Sequence, residues 1–187
     1  AFELSSKPTG WTNNNQPVIS FSTTDQTSGI SHYELAIDNG EFNKVESPYK
    51  LPALEDGEHQ IKVKAVDNAG WERVAKTKVL IDTTAPKQPD KFRTVPGNSK
   101  MIIRWGKSAS DDTKRYRVAK RIGDQVKYFT LDQEKTEFID SNVENGEEYT
   151  YRVWAIDRAN NNSTKSKWET STVGVEVEEY KPGEGAV

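Results

Sequence analysis

Acidic side chains that could bind a metal ion recur near the predicted joint between the two halves of the chain. Asp25, Asp67 and Asp82 supply carboxylate oxygens, and Ca²⁺ takes about 6 to 8 oxygen ligands. Their spacing does not match an EF-hand loop, and Asp also favours turns because its side chain bonds the backbone. The sequence therefore predicts no cofactor, with Ca²⁺ at these three residues as the alternative.

Residues suited to catalysis are sparse. The chain has two histidines, His32 and His59, no cysteine, and no Gly-x-Ser-x-Gly elbow or phosphate-binding loop. The adjacent carboxylates of Asp111-Asp112 and Glu178-Glu179 do not establish the facing pair that a glycosidase needs. The sequence predicts that the chain is not an enzyme and names no catalytic residue.

Cationic and aromatic residues alternate on two predicted strands of the second half. If Tyr151 points inward, Arg152 and Trp154 lie on the outer face, and the neighbouring strand adds Arg117 and Arg121. An indole flanked by guanidinium groups could stack on a sugar ring or dock a protein partner. The alternative is a ladder of Arg over Trp that only shields the sheet.

Trp71 lies in the loop between the last two predicted strands of the first half. An indole on a loop tip suits ligand binding. It could instead fold back on its own domain, or pack into the joint between the two halves together with Asp67 and Asp82. The sequence leaves these alternatives open.

Composition limits the classes of partner. The 187 residues carry 26 basic and 29 acidic side chains, which are well mixed and give a net charge of −3. No basic field exists to hold nucleic acid, and no apolar run reaches the ~20 residues that span a bilayer. We therefore expect neither nucleic-acid binding nor membrane insertion.

The elements that must position these residues are short strands. No window shows sustained helical periodicity, and polar turns such as Asn39-Gly40 separate runs with alternating apolar residues. The clearest run is Ile61 to Val66, in which Lys62 and Lys64 face water. The fold prediction is all-β, with two tandem antiparallel β-sandwiches.

The domain boundary is predicted at the end of an apolar run, where Asp82-Thr83-Thr84 leads into Pro86 and Pro89. We expect one sandwich over residues 1–86, a second over 87–178, and a polar linker or tail over 179–187. The two prolines are expected to hold the halves in an extended, semi-rigid pair.

The first half resembles the bacterial Ig-like repeats of exported and cell-surface proteins. The landmarks of that resemblance occur in order along the chain: Gly10-Trp11-Thr12-Asn13, Asp25, Ser28-Gly29-Ile30, Ile37-Asp38-Asn39-Gly40, Gly57-Glu58-His59, Ala65-Val66-Asp67-Asn68-Ala69-Gly70 and Ile81-Asp82-Thr83-Thr84-Ala85-Pro86. Trp71 departs from the pattern, which more often has Asn there. The resemblance indicates architecture more strongly than function.

The second half resembles a fibronectin type III domain. Trp105 matches the buried tryptophan of the second strand, and Tyr149 matches the tyrosine corner that opens the sixth strand. In the first half, His59 takes the place that matches this corner, which predicts a structural role for it.

Together the two resemblances imply a spacer or interaction segment of a larger exported bacterial surface protein or secreted polysaccharide-degrading enzyme. The implied location is extracellular or at the cell surface. Other domains of the same polypeptide are the expected partners, with a cell-wall or extracellular polysaccharide or a surface protein as further candidates, and the chain is expected to be a monomer. The alternative function is a carbohydrate- or protein-binding module.

Overall fold

A computed structural model describes residues 2–174 of the chain. The described residues form two compact units, one chiefly from the residues up to Ala85 and the other chiefly from those after it. The strands confirm the all-β prediction. No helix among the described residues is long and apolar enough to cross a membrane. The tail predicted over 179–187 lies outside the described residues.

The first unit is built from eight strands in two sheets. A three-stranded sheet has the order β1-β3-β6 and a five-stranded sheet the order β2-β8-β7-β4-β5, with all neighbours antiparallel except β2 and β8. The strands are β1 (Glu3–Lys7), β2 (Trp11–Thr12), β3 (Val18–Ser22), β4 (Ile30–Ile37), β5 (Asn43–Val45), β6 (Tyr49–Lys50), β7 (Gly57–Asp67) and β8 (Glu72–Ile81).

Alternation along β7 shows why this sequence forms a sandwich. Ile61, Val63 and Ala65 are buried, whereas Lys62 and Lys64 between them are partly exposed on the opposite face. The core lies between the two sheets, and its buried residues are Ile19, Phe21, Leu35, Leu51, Ile61, Val63, Val79 and Ile81.

The second unit is built from seven strands, also in two sheets. The sheet orders are β13-β10-β9 and β12-β11-β14-β15, and every pairing is antiparallel. The strands are β9 (Arg93–Gly97), β10 (Lys100–Arg104), β11 (Thr113–Ile122), β12 (Gln125–Asp132), β13 (Glu137–Asp140), β14 (Glu148–Asp157) and β15 (Glu169–Thr172).

Two aromatic residues of the second unit have the surroundings expected from the sequence. Trp105 is buried and meets Tyr116 edge-on, with ring centroids 5.6 Å apart. Tyr149 packs at the edge of the core, and its hydroxyl oxygen accepts a hydrogen bond from the backbone N–H of Glu144 at 3.1 Å. This is the geometry of a tyrosine corner.

Candidate ligand-binding surfaces

The outer face of the four-stranded sheet carries the cationic and aromatic residues singled out in the second half. The pairing of β11 with β14 sets Arg117 opposite Trp154 and Ala119 opposite Arg152, and Arg121 lies two residues further along β11. Since opposite residues of an antiparallel pair share a face, the predicted grouping of these residues is confirmed.

Trp154 lies on the outer face, as strand alternation predicts, but its indole is not accessible. It is 4% exposed and packs with Ala119, Ile156 and Trp168. Its Nε1 donates a hydrogen bond to Oδ1 of Asn162 at 2.9 Å. The chain that follows β14 turns back and covers this face. Strand alternation predicts which way a side chain points, but it does not predict that a later segment will cover it.

Cations lie against the aromatic rings of this face, and we call the group of Arg121, Arg152, Trp154, Lys165 and Trp168 the ladder. The Arg152 guanidinium lies 4.2 Å from the Trp168 ring centroid and 5.9 Å from that of Trp154. Arg121 lies 4.9 Å from Trp168, and Lys165 lies 5.2 Å from Trp154. These contacts occupy the indoles within the fold, as the shielding interpretation requires.

Two serines hold the returning chain against β14. The backbone N–H groups of Ser163 and Ser166 donate to the carbonyls of Ala155 and Val153, each at 2.9 Å. In return, the two serine hydroxyl oxygens accept from the N–H groups of the same β14 residues, at 3.0 and 2.9 Å. Sequence reasoning missed this segment, although two serines three residues apart after the strand were a usable signal.

Trp71 is the most exposed large apolar side chain among the described residues, at 78%. It lies in the connection between β7 and β8, and no ring or cation of residues 2–174 lies against its indole. The alternative in which it folds back on its own domain is therefore wrong. The ten residues of β8 separate it from Asp82 by roughly 30 Å, so it does not pack with Asp82 either.

Asp67 organises the backbone beneath this indole. Its Oδ1 accepts from the N–H groups of Ala69 and Trp71, both at 2.8 Å, and its Oδ2 accepts from the Ser28 hydroxyl at 2.8 Å. Asn68 adds a bond from its side-chain amide to the Ser28 carbonyl at 2.7 Å. The hydrogen bond from the Ser28 hydroxyl is the main cause that lowers the pKa of Asp67. The tip is thus rigid in its backbone and open at its indole.

A hollow of about 130 Å³ lies beside the indole. Thr23, Thr24, Asp25 and Arg73 are among the residues that line it. Asp25 accepts hydrogen bonds from the N–H groups of Thr27 at 2.7 Å and Ser28 at 2.9 Å. These bonds lower the pKa of Asp25, and the bond from Ser28 is the larger cause. The hollow therefore offers hydroxyls, a carboxylate and a guanidinium next to a bare aromatic ring.

The three residues of the calcium hypothesis do not meet. Asp25 and Asp67 lie near each other at the Trp71 end, where the charge of Asp25 acts on Asp67. Asp82 follows the opposite end of β8, is buried, and accepts at Oδ1 from the N–H of Thr84 at 3.3 Å. The ten residues of β8 separate Asp82 from the other two carboxylates, so the three residues do not share one site.

His59 bridges two segments of the first unit, as expected for a structural residue. Its Nδ1 lies 2.9 Å from Oδ2 of Asp38, and its Nε2 lies 3.0 Å from the carbonyl oxygen of Glu55. Both partners are acceptors, so the doubly protonated ring satisfies both contacts. The hydrogen bond with Asp38 accordingly raises the pKa of His59.

A buried lysine in the second unit was missed in the sequence. Lys120 is 1% exposed, and its Nζ lies 2.8 Å from Oδ2 of Asp140 and 2.6 Å from the carbonyl oxygen of Asn142. The Tyr151 hydroxyl donates to the same Asp140 oxygen at 2.9 Å, and burial raises the pKa of Tyr151 well above its usual value. The signal was available in the sequence: Arg121 was predicted to face outward, so alternation along β11 directs its neighbour Lys120 inward.

Comparison with known proteins identifies the fold. No protein-family model matches the chain, and no curated protein matches it. The solved fibronectin(III)-like modules of Clostridium thermocellum CbhA align with a TM-score of 0.62 at 19% identity, over 94% of this chain and 95% of theirs.

Two further solved structures give similar alignments. The FN1–FN3 domains of chicken CNTN1 align with a TM-score of 0.65 at 14% identity, over 92% of this chain and 66% of that one. Domains A168–A170 of titin align at 0.62 and 14% identity, over 92% of this chain and 65% of theirs. These matches indicate no catalytic family. The chain has the fold of tandem fibronectin type III and Ig-like β-sandwiches.

Proposed function

We propose that the chain is a non-catalytic spacer and interaction segment of a larger exported bacterial protein, where it holds neighbouring modules apart. The observation that carries this proposal is the tandem-sandwich fold shared with multi-module segments of other proteins. Ionisable groups such as Lys120 and His59 support it, because they are engaged in contacts that stabilise each sandwich.

The spacer role requires a defined separation between the two ends of the chain. The support for it is in the sequence, where Pro86 and Pro89 restrict the backbone between the units. Small-angle X-ray scattering of the chain should give the distance distribution of an extended pair with a narrow spread. A folded-back pair would contradict the proposal. So would a broad distance distribution that stays unchanged in the Pro86→Gly and Pro89→Gly variants.

A second candidate function is ligand binding, by a carbohydrate or a protein. The observation that favours it is the exposed indole of Trp71 beside a polar hollow. The face of Arg117, Arg121, Arg152 and Trp154 is the weaker location, since the contacts of the ladder cover Trp154. Screening polysaccharides by calorimetry against Trp71→Ala and Trp154→Ala tests both locations.

A further inference from the structure

The Trp71 end of the first unit combines an open indole with two hollows that share a wall. The smaller is the hollow of about 130 Å³ beside Trp71, and the larger is an open groove of about 720 Å³ along β4, β5 and β6. Ile30 lines both. We propose that this surface binds a neutral linear polysaccharide, with one sugar ring stacked on Trp71 and the adjoining sugars in the groove.

This inference rests on the second candidate function and names its ligand class. The first argument is the indole itself. The C–H face of a pyranose ring is apolar and flat, and it gains most from a broad aromatic face that is open to solvent. Trp71 presents such a face at 78% exposure, whereas Trp154 and Trp168 have cations against theirs.

The second argument is the supply of groups that bond hydroxyls. Thr23, Asp25 and Arg73 line the hollow beside the indole, and they include both donors and acceptors. In the groove, Lys44 supplies a donor and Glu46 an acceptor for sugar hydroxyls, and Tyr49 also lines this groove. Aromatic surface with a few polar groups around it is the composition typical of small-ligand sites.

The third argument is charge. The carboxylates of Asp25, Asp67 and Glu72 outnumber the guanidinium of Arg73 around the hollow, and Lys44 is offset by Glu46 in the groove. Neither hollow has a dominant positive field, which nucleic acids and acidic polysaccharides require. The charges therefore disfavour a polyanion, and the groups that bond hydroxyls fit an uncharged polymer.

The fourth argument is size and rigidity. A stable protein partner buries ~800 Å² on each side around an apolar centre. Trp71 instead stands among exposed polar neighbours, Asn68, Glu72 and Arg73. The bonds that Asp67 makes fix the tip backbone before a ligand arrives, so little conformational entropy is lost when a single ring binds.

Two-dimensional NMR of the ¹⁵N-labelled chain tests the proposal. The indole N–H signal of Trp71 is assigned by its loss in Trp71→Ala. The chain is then titrated with hexasaccharides of cellulose, xylan, mannan, chitin and amylose at millimolar concentrations. At least one sugar should shift the Trp71 indole signal together with the amides of Lys44 and Glu46, while the Trp154 indole signal stays in place.

Variants separate the roles of the two hollows. Trp71→Ala should weaken binding by about tenfold or more, and Trp71→Tyr should keep most of it because an aromatic face remains. Lys44→Ala should weaken binding by less. Val74→Ala is the matched control, because Val74 is 45% exposed on β8, the strand that follows Trp71, but lines neither hollow.

Four results would overturn the proposal. One is the absence of any Trp71 shift with all five sugars, another is equal binding by Trp71→Ala, and the third is a shift confined to the Trp154 face. A protein that saturates the Trp71 signal while no sugar does so also overturns it. None of these results affects the spacer role, which depends on the scattering measurement.

Discussion

Trp154 in the second unit and Trp71 in the first are the same residue type with opposite surroundings. Trp154 was predicted on the outer face of a regular strand, and the other residues of the ladder cover it. Trp71 lies in a loop for which the sequence left both binding and apolar cover open, and it is 78% exposed. The difference shows that exposure depends on which chain segment returns over a residue, more than on the element that carries the residue.

The largest expected difference between the two sites is in stability. Trp154→Ala should destabilise the second unit by about 3 to 5 kcal/mol, because it leaves a cavity between Ala119, Ile156 and Trp168. Urea unfolding followed by amide signals of the second unit measures this change. A loss below about 1 kcal/mol would mean that the ladder is loosely packed.

Removing one cation from the ladder should have a smaller effect. Arg152→Ala should cost about 0.5 to 2 kcal/mol, because the guanidinium lies against Trp168 and near Trp154. It should also increase acrylamide quenching of tryptophan fluorescence. Arg73→Ala is the matched control at the Trp71 end. An equal loss of stability in both variants would contradict the contrast between a packed ladder and an open Trp71 end.

Acid should loosen the Trp71 tip before it affects the ladder. The folded pKa values of Asp25 and Asp67 are lowered, so their contribution to stability is present above the unfolded pKa of about 3.9 and is lost as pH falls through the folded values. Arginine stays charged over this range. Hydrogen exchange of the Ala69 and Trp71 amides should accelerate in acid relative to that of Val153.

Asp67→Ala checks the cause of that acid effect. The variant should expose the same two amides to fast exchange at neutral pH and should remove most of the acid dependence. Asp132→Ala, at an exposed site in the second unit, serves as the control. If Asp67→Ala leaves amide protection unchanged, the hydrogen bonds of Asp67 do not fix the tip.

The smallest expected effect is that of Trp71→Ala on folding. Since the residue is 78% exposed and little packing is lost, the free energy of unfolding of the first unit should change by no more than about 0.5 kcal/mol. Urea unfolding followed by amide signals of the first unit measures it. A loss of several kcal/mol would show that the indole packs on its own unit, and the contrast with Trp154 would fail.

The fold was predictable from the sequence because it depends on local alternation. Ile61 to Val66 forms part of β7, and Trp105 and Tyr149 take the surroundings that the fibronectin type III resemblance implied. The grouping of Arg117, Arg152 and Trp154 on one face follows from the same two-residue period.

The site was less predictable, because it depends on contacts between distant segments. The period of β14 gives the direction of Trp154 but not the return of Lys165 and Trp168 over it. The position of Asp82 relative to Asp25 and Asp67 depends on the length of β8, which separates a turn at one end from a turn at the other. The calcium hypothesis therefore assigned these three aspartates to one site, whereas the fold places Asp82 at the opposite end of β8 from the other two.

The bonds that Ser163 and Ser166 make to β14 have a consequence for assembly. β15 pairs with β14 only from Glu148 to Tyr151, and beyond that point the serine hydroxyls and backbone take the hydrogen bonds that a further strand would use. An open edge would be a template for a strand of another chain, and similar modules in one polypeptide raise the local concentration of such strands. The serine segment therefore protects this edge against strand exchange and misassembly.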